Sequence, residues 1–165
     1  MKRFIRFGLP AIVALLLIFI DQFTKYLIDT RLGLHNSIPL WENVFEIHYI
    51  RNTGTAWGLL AGQQTFFRII TVVLIIAMIS CYIFLSRQKK FLPLNCALVL
   101  LFAGAIGNFI DRLRFGYVID FLYFKLINFP VFNVADMYVV ISMFVLSFLI
   151  LFYYKDEDFD FKRKD

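Results

Sequence analysis

Cysteine, proline, histidine and charge are all scarce in this 165-residue chain. It has two cysteines, four prolines and two histidines, and only 18% of its residues are charged. Cys81 and Cys96 lie inside apolar runs with no CxxC spacing, which argues against a disulfide framework and a thiolate metal site. They read as small apolar helix residues. His35 and His48 share no ligand-like spacing with each other or with a carboxylate, so no metal site is expected. The net charge of +5 is spread over short clusters beside apolar runs and makes no single basic patch, so no nucleic-acid partner is expected.

Apolar residues are abundant. The chain is 61% hydrophobic, with 21 Phe and eight Tyr and a mean hydropathy of +0.74. A soluble core of this size does not bury so many large side chains, so much of the apolar surface must face lipid. A membrane-crossing helix needs about 20 mostly apolar residues. Four stretches qualify: about 9–28, 66–85, 91–110 and 136–154. The first is preceded by Lys2, Arg3 and Arg6 like a secretory signal, but no small-x-small site follows and the run continues into Asp21-Gln22-Phe23-Thr24-Lys25. It is expected to be a retained first helix.

Ten of the 17 Lys and Arg residues fall before the first stretch, between the second and third, or after the fourth. The positive-inside rule then places both termini in the cytoplasm and segments 29–65 and 112–135 outside. These outer segments are not featureless. Phe45, Ile47 and Tyr49 alternate with polar or mixed residues in the period of a half-buried strand, and 117–127 has similar aromatic and β-branched content, so a small surface sheet is expected. Residues 1–165 read as one integral membrane domain without internal repeats.

Ionisable groups inside a membrane cost about 2.5–3.5 kcal/mol on insertion scales, so each needs a reason. Asp111 closes the third stretch and Asp136 opens the fourth, which puts the two at the same depth near the outer boundary. Two adjacent carboxylates contest one proton, and such a pair can activate water and protonate a leaving amine. The plainer alternatives are pairing of Asp111 with Arg112 or Arg114, and helix capping by Asp136. Asp21 and Lys25, one turn apart, read as an ion pair. Asp120 reads as a carboxylate that orders its loop. The turn-rich stretch Arg51 to Gly58 permits close backbone approach, and Asn52 and Asn133 offer amides to a peptide backbone. Gly104 and Gly107 read as helix-packing positions.

Asp21-Gln22-x-Thr24-Lys25, Asn52-x-Gly54-x-Ala56-Trp57, Gly107-Asn108-x-Ile110-Asp111-Arg112 and Phe132-Asn133-x-Ala135-Asp136, in this order, resemble the bacterial lipoprotein signal peptidase (signal peptidase II) family. The resemblance spans all four helices. It implies an all-α membrane protein of four transmembrane helices, with a small extracytoplasmic β-cradle and a short interfacial helix at about 55–62. The implied activity is that of an aspartic endopeptidase of the bacterial cytoplasmic membrane, working at its outer face as a monomer without cofactor. It would cut prolipoproteins immediately before a diacylglyceryl-modified cysteine delivered from membrane lipid. By position, Asp111 and Asp136 match the catalytic pair. Asn52, Gly54, Asn108, Arg112, Asn133 and Ala135 match positions around the site, and Asp21, Lys25 and Asp120 have structural character. The competing expectation is a small transporter whose carboxylates form a proton or cation path.

Overall fold

The computed structural model describes residues 3–54 and 63–160. Among these residues four helices are long and apolar enough to cross a membrane: α1 (Leu9–Arg31), α2 (Gln64–Leu85), α3 (Leu92–Arg114) and α4 (Val134–Phe148). A π-helical turn, Phe4–Gly8, leads into α1, and another, Leu149–Tyr153, extends α4. The helices match the hydropathic stretches, but α1 and α3 each run about one turn further at the end nearest the carboxylates. Asp29, Thr30 and Arg31 in α1 and Asp111, Arg112 and Arg114 in α3 lower the local hydropathy there, so hydropathy alone stops counting too early.

Helix α3 is central. In its most apolar window 39% of residues are buried, against 6–17% in the other three helices, and α1, α2 and α4 all pack on it. Small residues set the spacing. A Cβ on Gly104 would lie 2.5 Å from the Ala135 carbonyl, and one on Gly107 would lie 2.5 Å from Asp21 Oδ2. The glycines let α1 and α4 approach the same stretch of α3, where Ala135 is completely buried. Large side chains elsewhere point outward, such as Phe144 and Phe152, as expected of helices solvated by lipid.

A three-stranded antiparallel sheet, β1 (Ser37–Trp41), β2 (Phe45–Asn52) and β3 (Val118–Phe124), joins the helices at the end where α1 and α3 stop and α2 and α4 begin. Strand β2 is the alternating segment read from the sequence. Its Tyr49 is buried with Ile119 and Phe121 of β3. At the far end of this pairing, Asn52 lies opposite Val118, so the last residue of β2 faces the first residues of β3. Strand β1 is exposed throughout and contains Pro39, which suits an edge strand but hides it from pattern reading. The expected interfacial helix at about 55–62, with Ala56 and Trp57, lies outside the described residues.

Candidate active site

The polar residues at this end form two connected clusters. The first is an ion triad. Lys25, almost fully buried, donates its three N–H groups to Asp21 Oδ2, Asp111 Oδ2 and Asn108 Oδ1, each at 3.0 Å. The carboxylates are satisfied further: Gln22 donates to Asp21 Oδ2 and Asp111 Oδ1, the Ala135 backbone N–H to Asp21 Oδ1, and the Ile119 N–H to Asp111 Oδ2. A buried carboxylate is tolerated when a cation and N–H donors compensate it. The cluster thereby ties α1 and α3 to the first turn of α4 and to the start of β3.

The second cluster is built on amides. Helix α4 starts with a capping box: Asn133 Oδ1 accepts from the Asp136 N–H at 2.9 Å, and Asp136 Oδ2 accepts from the Asn133 N–H at 3.1 Å. The side-chain Nδ2 of Asn133 also donates to Asp120 Oδ1 at 2.7 Å and to Asn108 Oδ1 at 3.0 Å. Because Asn108 Oδ1 is taken by Lys25 and Asn133, its Nδ2 must face the other way, and it donates to Asp136 Oδ1 at 2.7 Å. Asp120 Oδ2 accepts from Asn52 Nδ2 at 2.8 Å, while Asn52 Oδ1 is held by the Gly54 N–H at 2.9 Å. Asn133 therefore sits between Asp120 and Asp136 and bonds to both.

These two carboxylates line one cavity of about 530 Å3, together with Asn52, Gly54, Asn108 and Arg112. Its remaining wall is apolar, running through Phe132 to Met137, Val140 and Ile141 on the outer face of α4. The Arg112 guanidinium is stacked over the Phe67 ring at 5.1 Å and forms no ion pair among the described residues. Asp120 is buried and faces the charge of Asp136, and for these two reasons its carboxyl is pushed up to about 7. Among the described residues no cation forms an ion pair with either member of the pair, and amide groups hold both.

Asp111, expected from the sequence to act with Asp136, is held in the ion triad. Asp111 does not line the cavity. Its oxygens accept from Lys25, Gln22 and the Ile119 N–H, a position compensated by a cation and away from the cavity wall. The alternative pairing of Asp111 with Arg112 or Arg114 is not formed among the described residues; its cation is Lys25. Asp120, read from sequence as a loop-ordering residue, occupies the place beside Asp136 instead. A signal was present: in Val118-Ile119-Asp120-Phe121-Leu122 the strand period puts Asp120 on one face with Val118 and Leu122, and a carboxylate on an apolar face needs an explanation as much as one in a helix. The expected Asp21–Lys25 pair is present, and Asp136 is both a capping residue and a cavity residue.

The chain is similar to known proteins over most of its length. Residues 13–152 match the family model described as signal peptidase (SPase) II. The lipoprotein signal peptidase of Moorella thermoacetica is 41% identical over 140 residues, covering 85% of this chain and 91% of that protein. That of Brevibacillus brevis is 44% identical over 135 residues, covering 82% and 89%. A bacterial membrane enzyme solved by the in meso method at 2.3 Å resolution superposes with a TM-score of 0.80 at 35% identity, over 96% of this chain and 94% of that one. Neither the family match nor the relatives support the transporter alternative. The match to the family model over most of the chain and the identity to these relatives agree, and this multi-pass membrane protein is a member of the signal peptidase II family of peptidases.

Proposed function

We propose that the chain is an aspartic endopeptidase that removes signal peptides from prolipoproteins, with Asp120 and Asp136 as its catalytic pair. The observation that carries this reading is their shared place on the wall of a cavity whose other side is apolar and open toward lipid along α4. A substrate with both a peptide bond and acyl chains fits such a wall. The scissile bond lies by the carboxylates, the chains along Met137, Val140 and Ile141.

The two carboxylates share one proton near neutral pH, and we assign it to Asp120, whose carboxyl is pushed up to about 7. Asp136, oriented by Asn108 and Asn133, accepts a proton from water as the water oxygen adds to the scissile carbonyl. The carbonyl oxygen takes the proton from Asp120. Collapse of the gem-diol returns one proton to Asp120, and Asp136 passes its own to the departing cysteine amine, which leaves the pair as it began. Arg112 and Asn52, on the same wall, supply donors for the substrate backbone. The Lys and Arg distribution supports cytoplasmic termini and a site at the outer face of the bacterial cytoplasmic membrane. Both carboxylates and the amides that hold them come from one copy, which supports a monomer.

The acyl chains fix the substrate at the depth of the pair and so lower the orientational cost of attack. Cleavage of one prolipoprotein with and without prior diacylglyceryl transfer, at matched concentration in the same bilayer, tests this. The modified form is expected to be cut and the unmodified form to be a poor substrate; equal rates would show that the lipid is not read.

A further inference from the structure

At the opposite end of the bundle, α1 and α2 both pack on α3 but barely touch each other. Between them lies a second cavity, of about 280 Å3, with walls almost entirely of carbon: Phe7, Ala11 and Ala14 from the first helix, Met78 and Tyr82 from α2, and Leu98 from α3. The two alanines leave the room that larger side chains would fill. From Phe7 to Ala14 the slot follows the first helix for about 10 Å at the helical rise.

The end of the slot is closed by polar groups. Arg6 Nε donates to Ser86 Oγ at 2.9 Å, Arg6 Nη2 donates to the Ile83 carbonyl at 3.2 Å, and the Tyr82 hydroxyl donates to the Arg6 carbonyl at 2.6 Å. The guanidinium also lies over the Phe7 ring at 4.9 Å. These bonds use two of its five N–H groups, and among the described residues no carboxylate forms an ion pair with it. A charged group at the end of a membrane-crossing segment, with donors to spare and no counter-ion, stands beside a slot of carbon at the depth of a lipid leaflet.

We propose that this slot binds an anionic phospholipid, with one acyl chain between α1 and α2 and the phosphate on Arg6. Carbon walls on three helices give a chain more dispersion contacts than bulk lipid offers on one side. Guanidinium and phosphate make charge-assisted bonds that a zwitterionic headgroup, carrying its own cation, satisfies less well. The bound lipid fills the space between two helices that have little contact of their own. This site is separate from the carboxylate cavity and does not depend on the peptidase reading.

The test is native mass spectrometry of delipidated protein in a neutral detergent, titrated with phosphatidylglycerol or phosphatidylcholine of identical chains. One phosphatidylglycerol should be retained with about fivefold preference, as expected for one basic residue at a lipid surface. Arg6→Gln should bring it down to the phosphatidylcholine level, and Arg6→Lys should keep part of the preference. Ala11→Phe, at an exposed position that tolerates bulk, should weaken both lipids with helicity unchanged by circular dichroism. Equal retention of the two lipids by the parent protein, or full retention by Ala11→Phe, would overturn the proposal. So would displacement of the lipid by excess glycerol phosphate, which would reveal a site for the phosphate alone.

Discussion

Asp111 and Asp120 are nine residues apart, both buried and both bonded into the same network, yet their surroundings differ in kind. Asp111 faces an ammonium and a backbone N–H. Asp120 faces two amide side chains and the charge of a second carboxylate. A cation beside a carboxylate holds its charge in place and makes it part of the frame. Amides orient a carboxylate without neutralising it, so a second carboxylate nearby turns its proton into one that moves. Only the second arrangement opens on the cavity.

Breaking the amide-held cluster should have the largest effect. Asp136→Asn keeps the shape of the capping box but removes the proton acceptor, and a lost acid–base partner is worth about 10²–10⁴ in rate. Turnover of modified prolipoprotein should fall by at least that much, while the melting temperature moves little. Near-normal turnover would detach Asp136 from the chemistry.

The ion triad should answer in stability. Lys25→Met leaves Asp21 and Asp111 buried without their cation, and breaking a buried pair in this way costs about 3–5 kcal/mol. Unfolding in detergent should show this loss. Adding Asp111→Asn to the same chain should recover part of it, since one uncompensated charge is removed.

Asn133 is both the cap of α4 and the amide between Asp120 and Asp136, and Asn133→Ala separates these two roles. Loss of the cap should cost about 1 kcal/mol, whereas loss of the amide between Asp120 and Asp136 should lower kcat more than the small change in folded fraction explains. A fall in activity no greater than the fall in folded protein would reduce Asn133 to a cap.

The smallest effect is the most specific. With Asp120 titrating at about 7, kcat/KM should decline as pH rises through that value, because both carboxylates are then ionised and no proton is available to the carbonyl oxygen. The same shift acts on stability with a fixed sign. The carboxyl holds its proton more tightly folded than unfolded, so its contribution is complete below about pH 4 and is lost as pH climbs through about 7. A pH profile rising across neutrality would contradict the assignment of the proton to Asp120.

Most of the framework was legible in the sequence because lipid imposes a simple rule: four apolar runs long enough to cross, with cations gathered at alternate ends. Strand β2 was legible from its alternation, and the Asp21–Lys25 pair from its i,i+4 spacing. Strand β1 was not, since Pro39 and uniform exposure erase the pattern. The proposed choice of Asp120 over Asp111 was not legible for a different reason. Depth in the membrane puts both near Asp136, and what separates them is the position of Lys25 on another helix. That contact is made only because Gly107 lets α1 press against α3. Asn108 was legible as a polar residue in a helix, but the direction of its amide depends on Lys25 and Asn133 together.

The most direct test sets the two aspartates side by side: purified, folded Asp111→Asn and Asp120→Asn, each assayed for single-turnover cleavage of the same diacylglyceryl-modified prolipoprotein at pH 6.5–7, a range chosen from the pKa of about 7 at Asp120. Asp120→Asn should be inactive at full folding, with a rate down by about 10³ or more. Asp111→Asn should lose stability yet keep a rate in proportion to its folded fraction. The reverse, an inactive but stable Asp111→Asn beside an active Asp120→Asn, would place the catalytic proton in the ion triad and contradict the account.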